Sequence, residues 1–264
     1  MTPQTLLLLA SALATRVSWQ EPFKVAPAAA LGAASPWAGR VRTILRSPDG
    51  PGHASRVVAS ERAGDVAVHT ARASGLAVTA VAAAPGVPAA DVLAAAYDIA
   101  PATVTGGPLA RRSLFDLPLG DSPLWTLTER RAATHAPDGR EERCTALLPA
   151  WSARSEHALD RPELGFPAAA RVLADLLGTG EYRYEARQSA MARYSRVGFE
   201  AAAVTAFAVA TAFVEPRDGV VRTAELRFGH PYAVVAVAVG DRRGPWHGVP
   251  VFSAWVADVD DATA

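Results

Sequence analysis

The sequence has little cysteine, little lysine and no net charge, and each shortage excludes something. A single cysteine, Cys144, in 264 residues excludes an internal disulfide and a cysteine-based metal cluster, and is expected to be a buried structural thiol. A formal charge of zero, from 26 basic and 26 acidic residues, gives no electrostatic reason to expect a nucleic acid or an anionic membrane as partner. Lys24 is the only lysine, so the basic residues are almost all arginine, which reads as compositional bias rather than a binding patch. No run is long and apolar enough for a membrane-spanning helix, which needs about 20 residues. The start, MTPQTLLLLASALATRV, has an apolar run ending Ala-Leu-Ala, as a secretory leader might, but no positive charge precedes it. A buried strand is the alternative for that run, and no compartment follows.

Catalytic signatures are missing as well. There is no G-x-S-x-G elbow, phosphate-binding loop, dinucleotide fingerprint or H-E-x-x-H helix. His53, His69, His135, His157, His230 and His247 are scattered, with no helical metal-ligand spacing among them, and are expected to pack or to face solvent. The pairs Arg111–Arg112, Arg130–Arg131 and Arg242–Arg243 read as solvated strand ends. Trp19, Trp151 and Trp255 sit in apolar contexts that predict core positions. No enzyme, metal or cofactor is expected.

What is present is hydrophobic patterning: half the residues are apolar, enough for a sizeable core. RVRTIL, DVAVHT, GLAVTAVAA, LWTLTER, PYAVVAVAVG and VPVFSAWVAD show the short β-branched or alternating pattern of strands. PAADVLAAAYDIA and FPAAARVLADLLG predict helices, each with proline near its start. Polar breaks fall at 47–52, 135–142 and 215–219, none long enough for an interdomain linker, and there is no internal repeat. The expectation is one α+β domain, mostly β.

One stretch stands apart. GFEAAAVTAFAVATAF, residues 198–213, follows its first acid with only small and apolar residues. Composition alone favours an alanine-rich helix. The preceding YRYEARQSAMARYSRVG alternates as a strand does, and a strand leading through Gly198 into small residues predicts instead a mobile loop able to slip between packed strands.

In these residues the chain resembles the C-terminal part of a serpin, a serine protease inhibitor. Gly198, Phe199, Glu200, Ala201, Ala202, Ala203, Val204 and Thr205 match the family's hinge of glycine, small hydroxyl, acid, three alanines, a small residue and threonine. Phe228, His230, Pro231 and Tyr232 resemble its Phe-x-x-His-Pro-Phe strand, VPVFSAWVAD its final strand, and Trp19, Pro22 and Phe23 the end of its central strand. RCTALLPAWSARSEHALDRPELGF and LFDLPLGDSPLWTLTE match stretches between, so the resemblance runs in order from residue 4 to residue 258. It makes TLLLLASALA an interior strand and a signal peptide improbable.

The resemblance implies a single serpin-like domain over 1–264 with a reactive loop at about 198–222. It implies no catalytic residues, a serine protease as partner, and insertion of the cleaved loop between strands at Thr5–Val17 and Tyr182–Arg196. A full family member carries a helical half and two sheet strands ahead of this point. The chain is therefore expected to be N-terminally truncated or a degenerate short relative, competent as an inhibitor only at full length, with an apolar patch exposed. Four positions depart from the pattern. Arg196 replaces an acid, Phe199 a small hydroxyl residue, and Ser11 and Gln188 the asparagine and histidine that, with Trp19, mark the sheet's opening point. If Phe199 faces inward, overpacking would cost about 1–3 kcal/mol and slow insertion.

Counting from the hinge puts the scissile bond at Ala212–Phe213, which suits an elastase- or subtilisin-like protease. Counting back from Pro231 puts it near Val220–Val221, and Arg217 and Arg222 admit a trypsin-like one. The alternative is a non-inhibitory serpin-like binding protein or inactive remnant. The three alanines favour inhibition; Arg196, Phe199 and the missing half favour the alternative.

Overall fold

The computed structural model describes residues 17–178, 183–199 and 217–263. They form three sheets and two helices, a mostly β chain of the α+β class.

The best-buried sheet has five antiparallel strands. Its order is β15 (Pro250–Val256), β14 (Tyr232–Ala238), β6 (Leu76–Ala82), β5 (Gly64–Ala73) and β4 (His53–Ser60). β14 reads as an unbroken apolar run, and β6 as one broken only by the buried Thr79, because both their faces are covered. On one side lies α1 (Ala89–Thr105), which buries Val92, Ala95, Ala96, Ile99 and Ala100, the spacing of one helix face. The proline-bounded pattern predicted an end at Ala100. The helix instead continues past Pro101 to a left-handed cap at Gly106, whose N–H reaches the carbonyl of Ala102. The cap, not the proline, ends it.

The second sheet has six strands: β2 (Lys24–Pro27), β3 (Thr43–Arg46), β9 (Arg140–Leu148), β13 (Arg217–Arg227), β8 (Trp125–Thr134) and β7 (Gly120–Asp121). β13 runs parallel to β9 and antiparallel to β8, so it is paired on both sides. Arg130 and Arg131 lie within β8 rather than at its end.

The third sheet has four strands in the order β1 (Val17–Ser18), β12 (Gly198–Phe199), β11 (Arg187–Tyr194) and β10 (Trp151–Ala158). Its upper end joins the main core, where Trp19, Phe23, Trp37, Trp151, Tyr194, Phe228 and Tyr232 are buried at the meeting of the three sheets. Fully burying one such side chain stabilises the fold by roughly 1.5–3 kcal/mol. Away from that end, β10 and β11 are largely exposed. α2 (Phe166–Leu176) follows the predicted span and buries only Ala174, leaving Phe166, Val172, Leu176 and the adjoining Leu177 open to solvent. Cys144, on β9, is mostly buried, and burial pushes its thiol up to about 11, as a structural cysteine requires. Trp19 and Trp151 are core residues as the pattern predicted, whereas Trp255 is only partly buried.

Candidate functional site

The alternating segment ending at Tyr194 forms β11, and a two-residue turn, Arg196–Val197, sends the chain back as β12. The Ser195 N–H and hydroxyl both donate to the carbonyl of Gly198 at 3.0 Å. The Gly198 N–H donates back to the Ser195 hydroxyl at 3.3 Å. Phe199 then stands opposite Tyr194 on one side and opposite Val17 of β1 on the other, with Gly198 opposite Ser18. The first two hinge residues are thus a short strand between two others.

Two residues hold this turn. The Trp19 indole N–H donates to the Ser195 carbonyl at 2.8 Å, and the Trp19 backbone N–H to the Val197 carbonyl at 3.1 Å. The Phe23 N–H donates to the carbonyl between them, Arg196, at 2.9 Å. Three consecutive carbonyls are therefore satisfied by the segment linking β1 to β2. Among the described residues the turn uses the carbonyl of Arg196, and its side chain is exposed.

Phe199 faces inward, the direction that sequence alternation had left open, and is 4% exposed. Its ring lies 5.6 Å from Phe252, 6.3 Å from Trp151 and 6.5 Å from Trp19, the separations of ordinary aromatic contacts. The predicted overpacking is not what this arrangement displays. A ready-made aromatic pocket receives the ring, so Phe199 anchors β12 in the sheet. The Tyr194 ring stacks on Trp151, and burial holds its phenol well above the usual range, so it stays neutral.

The structure separates other residues that the sequence reading grouped. Gln188 lies on β11 opposite His157 of β10 and is exposed. It sits six residues from Tyr194, about 20 Å at 3.3 Å per residue, so Trp19 and Gln188 occupy opposite ends of the strand. Ser11, Glu200, Ala201, Ala202, Ala203, Val204, Thr205, Ala212 and Phe213 lie outside the described residues.

At the far end of the expected loop the structure makes a correction. Residues 217–222, assigned to the loop, are the first half of β13. Val221 is fully buried and paired with Arg130 and Glu141, so a scissile bond at Val220–Val221 would lie inside a sheet, where no protease can bind it extended. Arg222 is likewise no specificity residue for a trypsin-like enzyme. Its guanidinium pairs with Glu129 at 2.7 Å, donates to the carbonyls of Leu114 and Leu117, and lies 4.8 Å from the centre of the Phe115 ring.

Sequence spacing gave no sign of one further cluster. His53 and His69, sixteen residues apart, meet beneath Phe23 because β4 and β5 form a hairpin. No group of three or more His, Cys, Asp or Glu among the described residues could hold a metal ion.

The sequence matches no family model and no curated protein. In structure the chain is similar to the thermophilic serpin tengpin in its native state, at 9% identity and a TM-score of 0.46, covering 92% of this chain and 53% of that one. It is also similar to a serpin of the trematode Schistosoma haematobium, at 15% identity and a TM-score of 0.49, covering 93% and 55%. A Manduca sexta serpin is a third, at 10% identity and a TM-score of 0.38, covering 94% and 55%. The chain spans about half the length of these solved structures.

Proposed function

We propose that this chain carries the reactive loop and insertion site of a serpin-type inhibitor of a serine endopeptidase, inhibition being a property of the full-length protein. One observation carries the reading: Phe199 is in register with Val17 and Tyr194 at once. In the inserted form, continuation of that register along β11 would bring Ala201 opposite Ala192, Ala203 opposite Ala190 and Thr205 opposite Gln188. At the first two of those positions β11 offers the small side chains of Ala192 and Ala190, which suit incoming alanines. Each backbone hydrogen bond gained there contributes roughly 0.5–1.5 kcal/mol. Loop insertion by serpins is itself a recognised case of strand addition driven by stored strain.

The bond cut is Ala212–Phe213, and the partner is an elastase- or subtilisin-like enzyme. Attack there acylates the protease; insertion then carries the loop's N-terminal arm, with the acyl-enzyme attached, along the sheet before water can hydrolyse the ester. The test is to incubate the full-length protein with elastase-, subtilisin- and trypsin-like enzymes and separate the products on denaturing gels. A covalent band with either of the first two supports the reading. Cleaved product with no covalent band from any enzyme leaves the non-inhibitory alternative.

A further inference from the structure

His53 and His69 form a closed chain of hydrogen bonds whose protons are all assigned by chemistry. His53 Nε2 lies 2.7 Å from the Glu21 carbonyl, which can only accept, so that nitrogen carries the proton. In a neutral ring His53 Nδ1 is then the acceptor, and His69 Nε2, at 3.2 Å, must donate to it. His69 Nδ1 is left to accept from the Ser55 hydroxyl at 2.9 Å. The two rings are within 17° of parallel, and His69 is fully buried. One added proton can be absorbed by shifting every bond along the chain toward Ser55. A second would set two N–H groups against each other.

This chain lies directly under the hinge clamp. Phe23, whose N–H holds the Arg196 carbonyl, rests its ring 4.5 Å from His53 and 5.6 Å from His69. Glu21, whose carbonyl ends the chain, lies midway between Trp19 and Phe23, and Gln20 donates to the Arg72 carbonyl at 2.8 Å. The charged groups around the pair are the Glu21 carboxylate, which favours a proton on His53, and Arg56 of β4, which opposes one on His69. Tyr194, from β11, whose ring lies 5.6 Å from Phe23, is neutral. Burial holds both histidines below the ordinary imidazole range, His69 further than His53.

We propose that the His53–His69 pair is a pH-sensitive latch: with no proton or one added, it fixes the Trp19–Phe23 segment that grips the turn at Ser195–Val197; with both rings protonated, the opposed N–H groups push apart, loosen that grip and free Gly198–Phe199 from the sheet. The functional consequence, a hinge released by acid, rests on the inhibitor reading; the latch itself does not.

The test uses the chain with no protease present. The indole N–H of Trp19 is followed by nitrogen-15 NMR, Trp19→Phe identifying its signal among the six tryptophans. After correction for intrinsic exchange, its protection holds down to about pH 6 and falls about tenfold or more between about pH 6 and 4 in the wild type, because both folded histidines titrate below the ordinary imidazole value. In His53→Gln, whose amide can keep both bonds but cannot titrate, it changes by less than about twofold. An equal fall in both proteins, or none in the wild type, overturns the latch. If His53→Gln does not fold, the wild-type ring nitrogens decide: both titrating while the Trp19 signal stays fixed is the overturning result. Failure to trap a protease would leave this result standing, and failure here would leave trapping untouched.

Discussion

The indole N–H of Trp19 donates to the carbonyl of Ser195 at 2.8 Å, across 176 residues of sequence. The bond joins the end of β1 to the end of β11 at the point where the chain turns into β12. Trp19→Phe keeps an aromatic ring in the core but removes this donor and leaves a cavity where the larger indole packed. Leaving a part-buried carbonyl without it should cost about 1–3 kcal/mol, read as a lower urea midpoint with an unchanged slope. An unchanged midpoint would mean that the bond contributes nothing net.

Phe199→Thr separates two views of the hinge. Crowding by the ring would make threonine an improvement, raising the fraction of protease trapped. The pocket formed by Trp19, Trp151 and Phe252 argues the reverse. Losing the ring weakens the first step of insertion, so the trapped fraction should fall and cleaved product rise. A rise in the covalent band with threonine would restore the crowding view.

Elastase and trypsin should treat the segment before β13 differently. Residues 200–216 contain no arginine or lysine, and the first two arginines after them, Arg217 and Arg222, lie in β13. Brief elastase digestion should cut between Ala206 and Phe213, whereas brief trypsin digestion should spare the bonds after Arg217 and Arg222. Mass spectrometry locates the cuts; early tryptic cleavage after Arg222 would contradict the pairing of β13 on both sides.

Arg222→Ala removes an ion pair with Glu129 and two bonds to backbone carbonyls. Hydrogen bonds to charged groups contribute about 1.5–3 kcal/mol, and partial exposure of Glu129 discounts that, so a loss of about 1–3 kcal/mol is expected. Thermal unfolding measures it. The protease class trapped should not change.

Stability should fall as the pH drops below the ordinary imidazole value of about 6.5. Burial depresses the values of His53 and His69 in the folded chain, so in that window the unfolded chain binds protons that the folded one refuses. Their contribution is full above that value and declines until the folded values are passed. Chemical denaturation at a series of pH values should show the slope in the wild type and a shallower one in His53→Gln.

The sequence by itself determined many of the elements: β6 and β14 come from short β-branched apolar stretches, and α1 and α2 begin at their prolines. These follow from local period and turn chemistry, which need no partner. It also put Phe199, Ala201, Ala203 and Thr205 on one face, since side chains alternate along a strand, but not which way that face points. Only the tertiary structure decided what that face meets, because Trp19, Trp151 and Phe252 come from three remote parts of the chain. It decided that 217–222 is strand rather than loop, since the polar residues Arg217–Gly219 read as a break until β8 and β9 pair on either side. It placed Trp19 and Gln188 at opposite ends of β11. The His53–His69 chain depended on it wholly, because two histidines sixteen residues apart have no spacing to betray them, and only the register of the β4–β5 hairpin brings their nitrogens within 3.2 Å.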